Sequence, residues 1–140
     1  MGNPLAVSVK AGIAYGLAVF AIGCVLGAIR VLLLAPRVGP TMAVSAEVPI
    51  ILMASWFLCS LLMRRLGVGA EIGARIVVGA VAFAVLMSLE VALAVGLFHR
   101  PIGGYLAGLR SLAGAIGLAA QVCFATFPLA SAIKRQRLNP

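Results

Sequence analysis

Four long apolar runs, each ended by prolines or basic residues, constrain this chain more than any other feature of its sequence. They cover about residues 11–34, 42–63, 75–98 and 111–133. Each holds about 22–24 residues, enough at ~1.5 Å per helical residue to cross a hydrocarbon layer of ~30 Å. A segment in lipid must satisfy its backbone hydrogen bonds internally, and runs of this length do so as helices. The pattern therefore predicts four transmembrane helices.

The composition excludes a soluble domain. Hydrophobic residues make up 64% of the 140 residues and charged residues 10%, against about 45–50% apolar and about 25% charged in soluble domains. The net charge of +8 comes from basic residues at the ends of the apolar runs, where they anchor helices at lipid headgroups. Nucleic-acid binding requires a basic face with aromatic platforms. We therefore expect no nucleic-acid partner.

The connections between the runs are short, which predicts that neighbouring helices are antiparallel and pack together. We expect an all-α membrane protein, a four-transmembrane-helix antiparallel bundle, with residues 1–140 forming a single polytopic domain. The first apolar run continues too far beyond Lys10 for a cleaved signal peptide, so we expect this helix to be retained. Segment 102–110 is intermediate in character and predicts a short interfacial turn.

Basic residues are unevenly distributed between the two predicted ends of the bundle. Seven lie at the end that holds both termini and the central loop: Lys10, Arg64, Arg65, Arg75, Lys134, Arg135 and Arg137. Four lie at or near the other end: Arg30, Arg37, Arg100 and Arg110. Because loops with more Lys and Arg stay in the cytoplasm, this excess predicts a bacterial inner-membrane protein with cytoplasmic N and C termini.

Small residues form stripes on the first and last predicted helices. Such stripes let helix backbones approach closely, which drives association in lipid. The glycines concerned are Gly12, Gly16, Gly23 and Gly27 in the first run, and Gly114 and Gly117 in the last. These faces meet either within one chain or between two chains. Pro49 and Pro128 lie inside apolar runs and predict a kink or a shortened helix. If the second helix is shortened, it begins near Ser45 rather than near residue 42.

Polar side chains occur inside every apolar run and form the candidate site. Polar groups within a bilayer are costly and are by default functional-site candidates. The four are Arg30, Glu47, Glu90 and Gln121. At ~1.5 Å per residue from the nearest outer helix end, their depths are roughly 6, 8, 12 and 15 Å, all in the outer half of the bilayer. We predict that they converge inside the bundle, with Arg110 above them.

This predicted network has two carboxylates and one arginine, so one charge is unmatched. Arg110 supplies a second cation, one carboxylate is protonated, or a ligand cation or amine headgroup completes the balance. Alternatively, the network only fixes the register of the helices, with Glu47 in the first turn of a shortened second helix. The sequence leaves these interpretations open.

No arrangement typical of a catalytic or metal centre appears in the sequence. Cys24, Cys59 and Cys123 each lie inside an apolar run, without a CxxC pair or a nearby histidine. Because zinc and redox sites need such groupings, we expect buried structural thiols and no metal or cofactor. His99 lies beside Arg100 at a helix end, where we expect it to contact headgroups. We predict no catalytic residue.

The length and four-helix plan, together with Glu47, Trp56 and Glu90, resemble uncharacterised small four-helix inner-membrane proteins of bacteria. The resemblance implies a bacterial inner-membrane fold of this type. It implies no activity, substrate or site residue.

The leading functional hypothesis is a non-enzymatic accessory or scaffolding subunit, whose polar network is structural or receives a lipid or a partner helix. The expected partners are membrane lipid and either another protein or a second copy of the chain. The alternative is a small carrier or channel for a proton, a cation or an amphipathic amine, using Glu90 and Glu47. A third hypothesis is a lipid-modifying membrane enzyme, which would need a nucleophile or metal that the sequence does not offer.

Overall fold

A computed structural model describes residues 3–138, and this part of the chain contains helices and no strand. Its five helices are α1 (Pro4–Val38), α2 (Pro40–Arg65), α3 (Ile72–Leu97), α4 (Ile102–Leu109) and α5 (Leu112–Leu138). Four of them, α1, α2, α3 and α5, are long and apolar enough to cross a membrane. The fifth, α4, has 8 residues and replaces the interfacial turn predicted for segment 102–110.

Helix α1 is longer than the first apolar run at both of its ends. The side-chain oxygen of Asn3 accepts a hydrogen bond of 3.0 Å from the Leu5 N–H, and Pro4 occupies the first helical position. This capped start extends the helix before residue 11 because proline and an asparagine cap both suit a helix N-terminus. The helix ends at Gly39, whose φ of 83° is a conformation that glycine adopts without steric cost.

The first apolar run is expected to end before Pro36, at about residue 34, but the helix continues through Pro36 to Val38. A π-helical segment, Arg30–Leu34, widens the helix, and α-helical geometry resumes over Ala35–Val38. Pro36 therefore lies in the first turn of the resumed α-helix, where its missing N–H costs little. A second π-helical segment, Leu93–Leu97, ends α3.

Helix α2 begins at Pro40, so the expectation of a start near Ser45 is wrong. Pro40 takes the first helical position directly after the turn at Gly39. Consequently Pro49 lies in the interior of α2, more than two turns from its start. Glu47 likewise lies beyond the first turn, where the N-terminal helix dipole no longer favours a carboxylate.

The buried core lies toward one end of the long helices, the end that holds the α2–α3 loop. We call this the α2–α3 end and the opposite one the α1–α2 end. Helix α1 packs against α2 and α3, and α5 packs against the same two helices. The Tyr15 hydroxyl donates a 3.1 Å hydrogen bond to the Phe124 carbonyl, and their rings lie 5.1 Å apart. The buried cluster consists of Ala11, Tyr15, Val19, Cys59, Met63, Val68, Val78, Ala82, Leu86 and Phe124.

Close contact between α1 and α3 depends on two glycines. A Cβ at Gly12 would lie 2.7 Å from the Val81 Cβ, and one at Gly16 would lie 2.8 Å from the Ala82 carbonyl oxygen. Both distances are shorter than real Cβ atoms tolerate. The small-residue face of α1 therefore brings its backbone against α3 at the α2–α3 end. Beyond Val19, α1 has no buried residue.

Candidate functional site

An ion pair joins α1 to α2 at the α1–α2 end. The Arg30 Nε and a Glu47 carboxylate oxygen lie 2.5 Å apart. The two atoms are close enough to form an ion pair. Neither of them makes a hydrogen bond, so the N–H group is not well aligned with the carboxylate. The Arg30 side chain is 34% exposed and that of Glu47 15%. This part of α1 has no buried residue, whereas Ala43 and Val44 of α2 are buried at the same end, so the pair adds a polar contact between the two helices here.

Glu90 of α3 lies in a second polar contact, made with α4 and α5. The Gln121 side-chain nitrogen is 2.7 Å from both Glu90 carboxylate oxygens. The Tyr105 hydroxyl donates a longer bond of 3.4 Å to one of these oxygens. All three side chains are partly exposed. The contact ties the short helix α4 to two long helices.

We refer to the residues of these two contacts, Arg30, Glu47, Glu90, Gln121 and Tyr105, together as the polar cluster. With both carboxyls ionised, one cation and two anions leave the cluster with one unmatched negative charge. Within residues 3–138, no cationic group lies within ion-pair distance of Glu90. The structure thus pairs Arg30 with Glu47 and Glu90 with Gln121, and the convergence of all four residues stays a prediction.

Arg110 takes no part in this cluster. It lies exposed at the C-terminal end of α4. In the described part of the chain it forms no ion pair with Glu47 or Glu90. The second cation proposed for the charge balance is therefore not supplied by Arg110 in this structure.

One acceptor in the cluster has no partner. The Gln121 carbonyl oxygen is buried and receives no hydrogen bond, although its amide nitrogen contacts Glu90. A buried polar atom without a partner costs free energy comparable to a lost hydrogen bond. The cluster therefore has both an unmatched charge and an unused acceptor on neighbouring side chains.

Tyr105 belongs to the cluster and was not among the residues predicted from the sequence. Burial, together with the charge and hydrogen bond of Glu90, raises the pKa of the Tyr105 hydroxyl. The only sequence feature pointing to it is a tyrosine placed shortly after Pro101, which starts α4. Its contact with Glu90 depends on the fold of α4 back over α3, which no local pattern predicts.

Arg75 is a second residue whose role the sequence did not indicate. It was assigned to the basic end of the third helix, but it is only 3% exposed. Its guanidinium donates to the Gly69 carbonyl at 2.7 Å, the Val68 carbonyl at 3.1 Å and the Ser131 hydroxyl at 3.0 Å. This buried arginine fixes the α2–α3 loop against α5 at the end opposite the polar cluster.

The predicted glycine stripes have different surroundings. Gly23 approaches only the Ile51 side chain of α2, which a Cβ at position 23 would meet at 3.5 Å, and Gly27 approaches only Arg30. Gly114 meets the backbone of Gly108 at the α4–α5 turn, and Gly117 has open space around it. The stripes on α1 and α5 therefore do not pack against each other.

Cysteines and other metal-binding side chains lie apart. Cys59 is buried, whereas Cys24 and Cys123 are exposed on the apolar surface, so the expectation that all three are buried is wrong. Helix α1 buries nothing around Cys24, which explains its exposure. Within residues 3–138, no group of three or more His, Cys, Asp and Glu side chains is placed to hold a metal ion. His99 is exposed at the end of α3, with a φ of 50°.

Comparison with protein families, curated proteins and solved structures finds no match for this chain. The resemblance to small bacterial inner-membrane proteins stays a prediction.

Proposed function

We propose that the chain is a single-domain protein of the bacterial inner membrane. Helices α1, α2, α3 and α5 form its four antiparallel spans, and both termini lie in the cytoplasm. The length and apolarity of these helices support the proposal. The excess of basic residues near the termini and the α2–α3 loop supports the orientation. Cysteines introduced near either terminus should then react with a membrane-impermeant reagent only after the inner membrane is opened.

We infer that the protein is a non-enzymatic accessory or scaffolding subunit. The observation that carries this inference is the Arg30–Glu47 ion pair. It joins α1 to α2 where α1 buries no residue and where Ala43 and Val44 of α2 are buried, so a polar contact is added to the apolar packing of α2 at this end. The Glu90–Gln121 contact joins α3 to α5 in the same way. Such contacts fix helix register and leave an apolar outer surface for lipid, a partner helix or a second copy.

Native mass spectrometry of protein extracted gently in its own lipids tests this function. We expect a protein partner or a second copy at fixed stoichiometry. Glu47→Gln should lower the thermal stability without creating or removing any transport. Recovery of an isolated monomer that moves protons or cations in reconstituted vesicles would contradict the proposal.

A second candidate function is a small carrier or channel for a proton, a cation or an amphipathic amine. The observation favouring it is the lack, among the described residues, of a direct cationic partner for Glu90. Glu47 is already paired with Arg30, so Glu90 is the acid available to bind such a species. The hypothesis of a lipid-modifying enzyme gains no support from the contacts among the described residues and stays a prediction.

Flux into vesicles containing the purified protein tests the carrier or channel. Glu90→Gln should abolish the flux. Glu71→Gln is the matched control, since Glu71 is the third acid of the chain and lies exposed at the start of α3, outside the cluster. Cysteine at position 90 should also react with a membrane-impermeant thiol reagent. Equal flux in both variants, or no flux in the unaltered protein, would contradict this function.

A further inference from the structure

We propose that Glu90, Gln121 and Tyr105 bind a primary ammonium group, carried by a lipid headgroup or by a soluble amine. The inference rests on the proposal that the polar cluster binds a ligand, and it names the chemistry of that ligand. It depends on three features of the cluster: its charge, the type of hydrogen-bonding atom that it presents, and its access from outside.

The charge of the cluster calls for one cation. Arg30 and Glu47 neutralise each other across 2.5 Å. Glu90 receives hydrogen bonds from the neutral groups of Gln121 and Tyr105. An ionised carboxylate in an environment of low dielectric is costly unless it is paired. A single positive charge beside Glu90 would make the whole cluster neutral.

The atoms presented to such a cation are hydrogen-bond acceptors. The Gln121 carbonyl oxygen is buried and has no partner. Each Glu90 oxygen has further lone pairs, and the Tyr105 oxygen can accept while its hydrogen is donated to Glu90. An ammonium group carries three donors and no acceptor. It therefore has one donor for each of the three side chains, whereas a proton on Glu90 removes the charge and supplies a single O–H donor.

The same reasoning predicts selectivity among amines. A trimethylated ammonium group carries the same charge but has no N–H donor, so the Gln121 oxygen would stay without a partner. Quaternary ammonium groups are bound instead by cages of aromatic rings. Within residues 3–138, the hydrogen bonds of Glu90 involve a single aromatic side chain, that of Tyr105. The cluster should therefore discriminate against trimethylated amines.

The cluster is accessible at its rim, but the Gln121 carbonyl oxygen is buried, so an ammonium group reaches that oxygen only after the Gln121 side chain turns toward it. Glu90, Gln121 and Tyr105 are each partly exposed. Glu90 lies seven residues before the end of α3 at Leu97, a distance of roughly 10 Å along the helix. Helix α4 lies over this region with Ile102 and Leu106 exposed. An amine attached to an apolar chain can therefore place its chain in lipid and its ammonium group in the cluster.

The test uses the full-length protein, stripped of lipid and returned to bilayer discs of defined composition. Native mass spectrometry then compares retention of phosphatidylethanolamine with that of phosphatidylcholine having the same acyl chains. In parallel, the shift in thermal stability is compared between a primary alkylamine and its N-trimethyl analogue in detergent. The first arm detects a lipid source of the ammonium group, and the second detects a soluble one.

We expect preference for the primary ammonium compound by roughly tenfold or more in at least one arm, since one charge-assisted hydrogen bond has this effect on affinity. Glu90→Gln should remove the preference, and Glu71→Gln should keep it. Tyr105→Phe removes only a partly exposed hydroxyl. It should fold normally and weaken binding severalfold, so the inference remains testable even if Glu90→Gln does not fold.

Equal binding of primary and trimethylated amines would overturn the inference, as would no amine binding in either arm. A preference unchanged in Tyr105→Phe and Glu90→Gln would also overturn it. The outcome is separable from that of the proposed functions. Proton or metal-cation flux through Glu90 without amine selectivity would support the carrier and reject the ammonium site. Selective amine binding without flux would support the site and reject the carrier.

Discussion

Gly79 of α3 lies directly against the carbonyl group of Ala125 on α5, and a Cβ at position 79 would overlap that oxygen. The obstacle is backbone, which cannot rotate away as a flexible side chain would. The two helices are consequently held at a distance set by one missing methyl group. This contact lies within the buried core, next to Val78 and Phe124, about three helical turns from Glu90 along α3.

Gly79→Ala should therefore destabilise the protein by about 1–3 kcal/mol, as overpacking typically does. Thermal unfolding in one fixed detergent measures the effect. Gly73→Ala is the matched control on the same helix, because a Cβ at Gly73 meets nothing within 4 Å. The control should be neutral or slightly stabilising, since alanine favours helix over glycine. Equal stability of the two variants would show that α3 and α5 can separate freely.

The sequence predicts the helical class of this fold well, because apolar runs of this length leave few alternatives. The sequence does not predict which residues of different helices come into contact. The Gly12 and Gly16 stripe gives no indication of its partner. Ala125 belongs to the small-residue face predicted for the last helix, but its close partner Gly79 lies outside any predicted stripe. The passage of α1 through Pro36 depends on a π-helical segment, which no sequence pattern indicates.

In the candidate site, too, some residues can be predicted from the sequence and others cannot. The cost of polar groups in lipid singles out Arg30, Glu47, Glu90 and Gln121 from the sequence alone. Tyr105 is not singled out because a tyrosine at a helix end is common at membrane interfaces. Arg75 is hidden for another reason. Its partners are backbone carbonyls and a serine, and carbonyls are present in every loop.

The Arg30–Glu47 pair gives the second prediction. Glu47→Gln or Arg30→Gln should each destabilise the protein by about 1–3 kcal/mol, the usual cost of leaving a partly buried group without its partner. The partial exposure of Arg30 keeps the effect below that of a fully buried pair. The double variant should be less destabilised than the sum of the single variants. Thermal unfolding of all four proteins gives this coupling.

Arg37→Gln is the control for that cycle. Arg37 is exposed near the end of α1, and it forms no ion pair within the described residues. It should change the stability little and show no coupling to Glu47→Gln. Strict additivity of Arg30→Gln and Glu47→Gln would contradict the role of the pair in joining α1 to α2.

Arg75→Lys provides the third prediction, at the opposite end of the protein. Lysine keeps the charge but cannot reproduce the fork that reaches Val68, Gly69 and Ser131 at the same time. We expect a loss of about 1–3 kcal/mol, because at least one buried acceptor loses its partner. Proteolysis of the α2–α3 loop should accelerate as well. Arg64→Lys is the control, since Arg64 is exposed and bonds only within its own helix.

Tyr105 provides the fourth prediction, which concerns pH. Burial, and then the charge and hydrogen bond of Glu90, raise the pKa of Tyr105 in the folded protein above its ordinary value of about 10. Below that ordinary value the phenol is protonated in both folded and unfolded states, so its stabilising bond to Glu90 is fully present. The contribution is lost as the pH rises through the raised folded pKa.

The difference in tyrosinate absorbance between the unaltered protein and Tyr105→Phe isolates this titration from that of Tyr15. Glu90→Gln should move the titration of Tyr105 back toward its ordinary value, and Glu71→Gln should not. A titration at the ordinary value, or one that ignores Glu90→Gln, would show that Tyr105 does not contact the Glu90 carboxylate in solution.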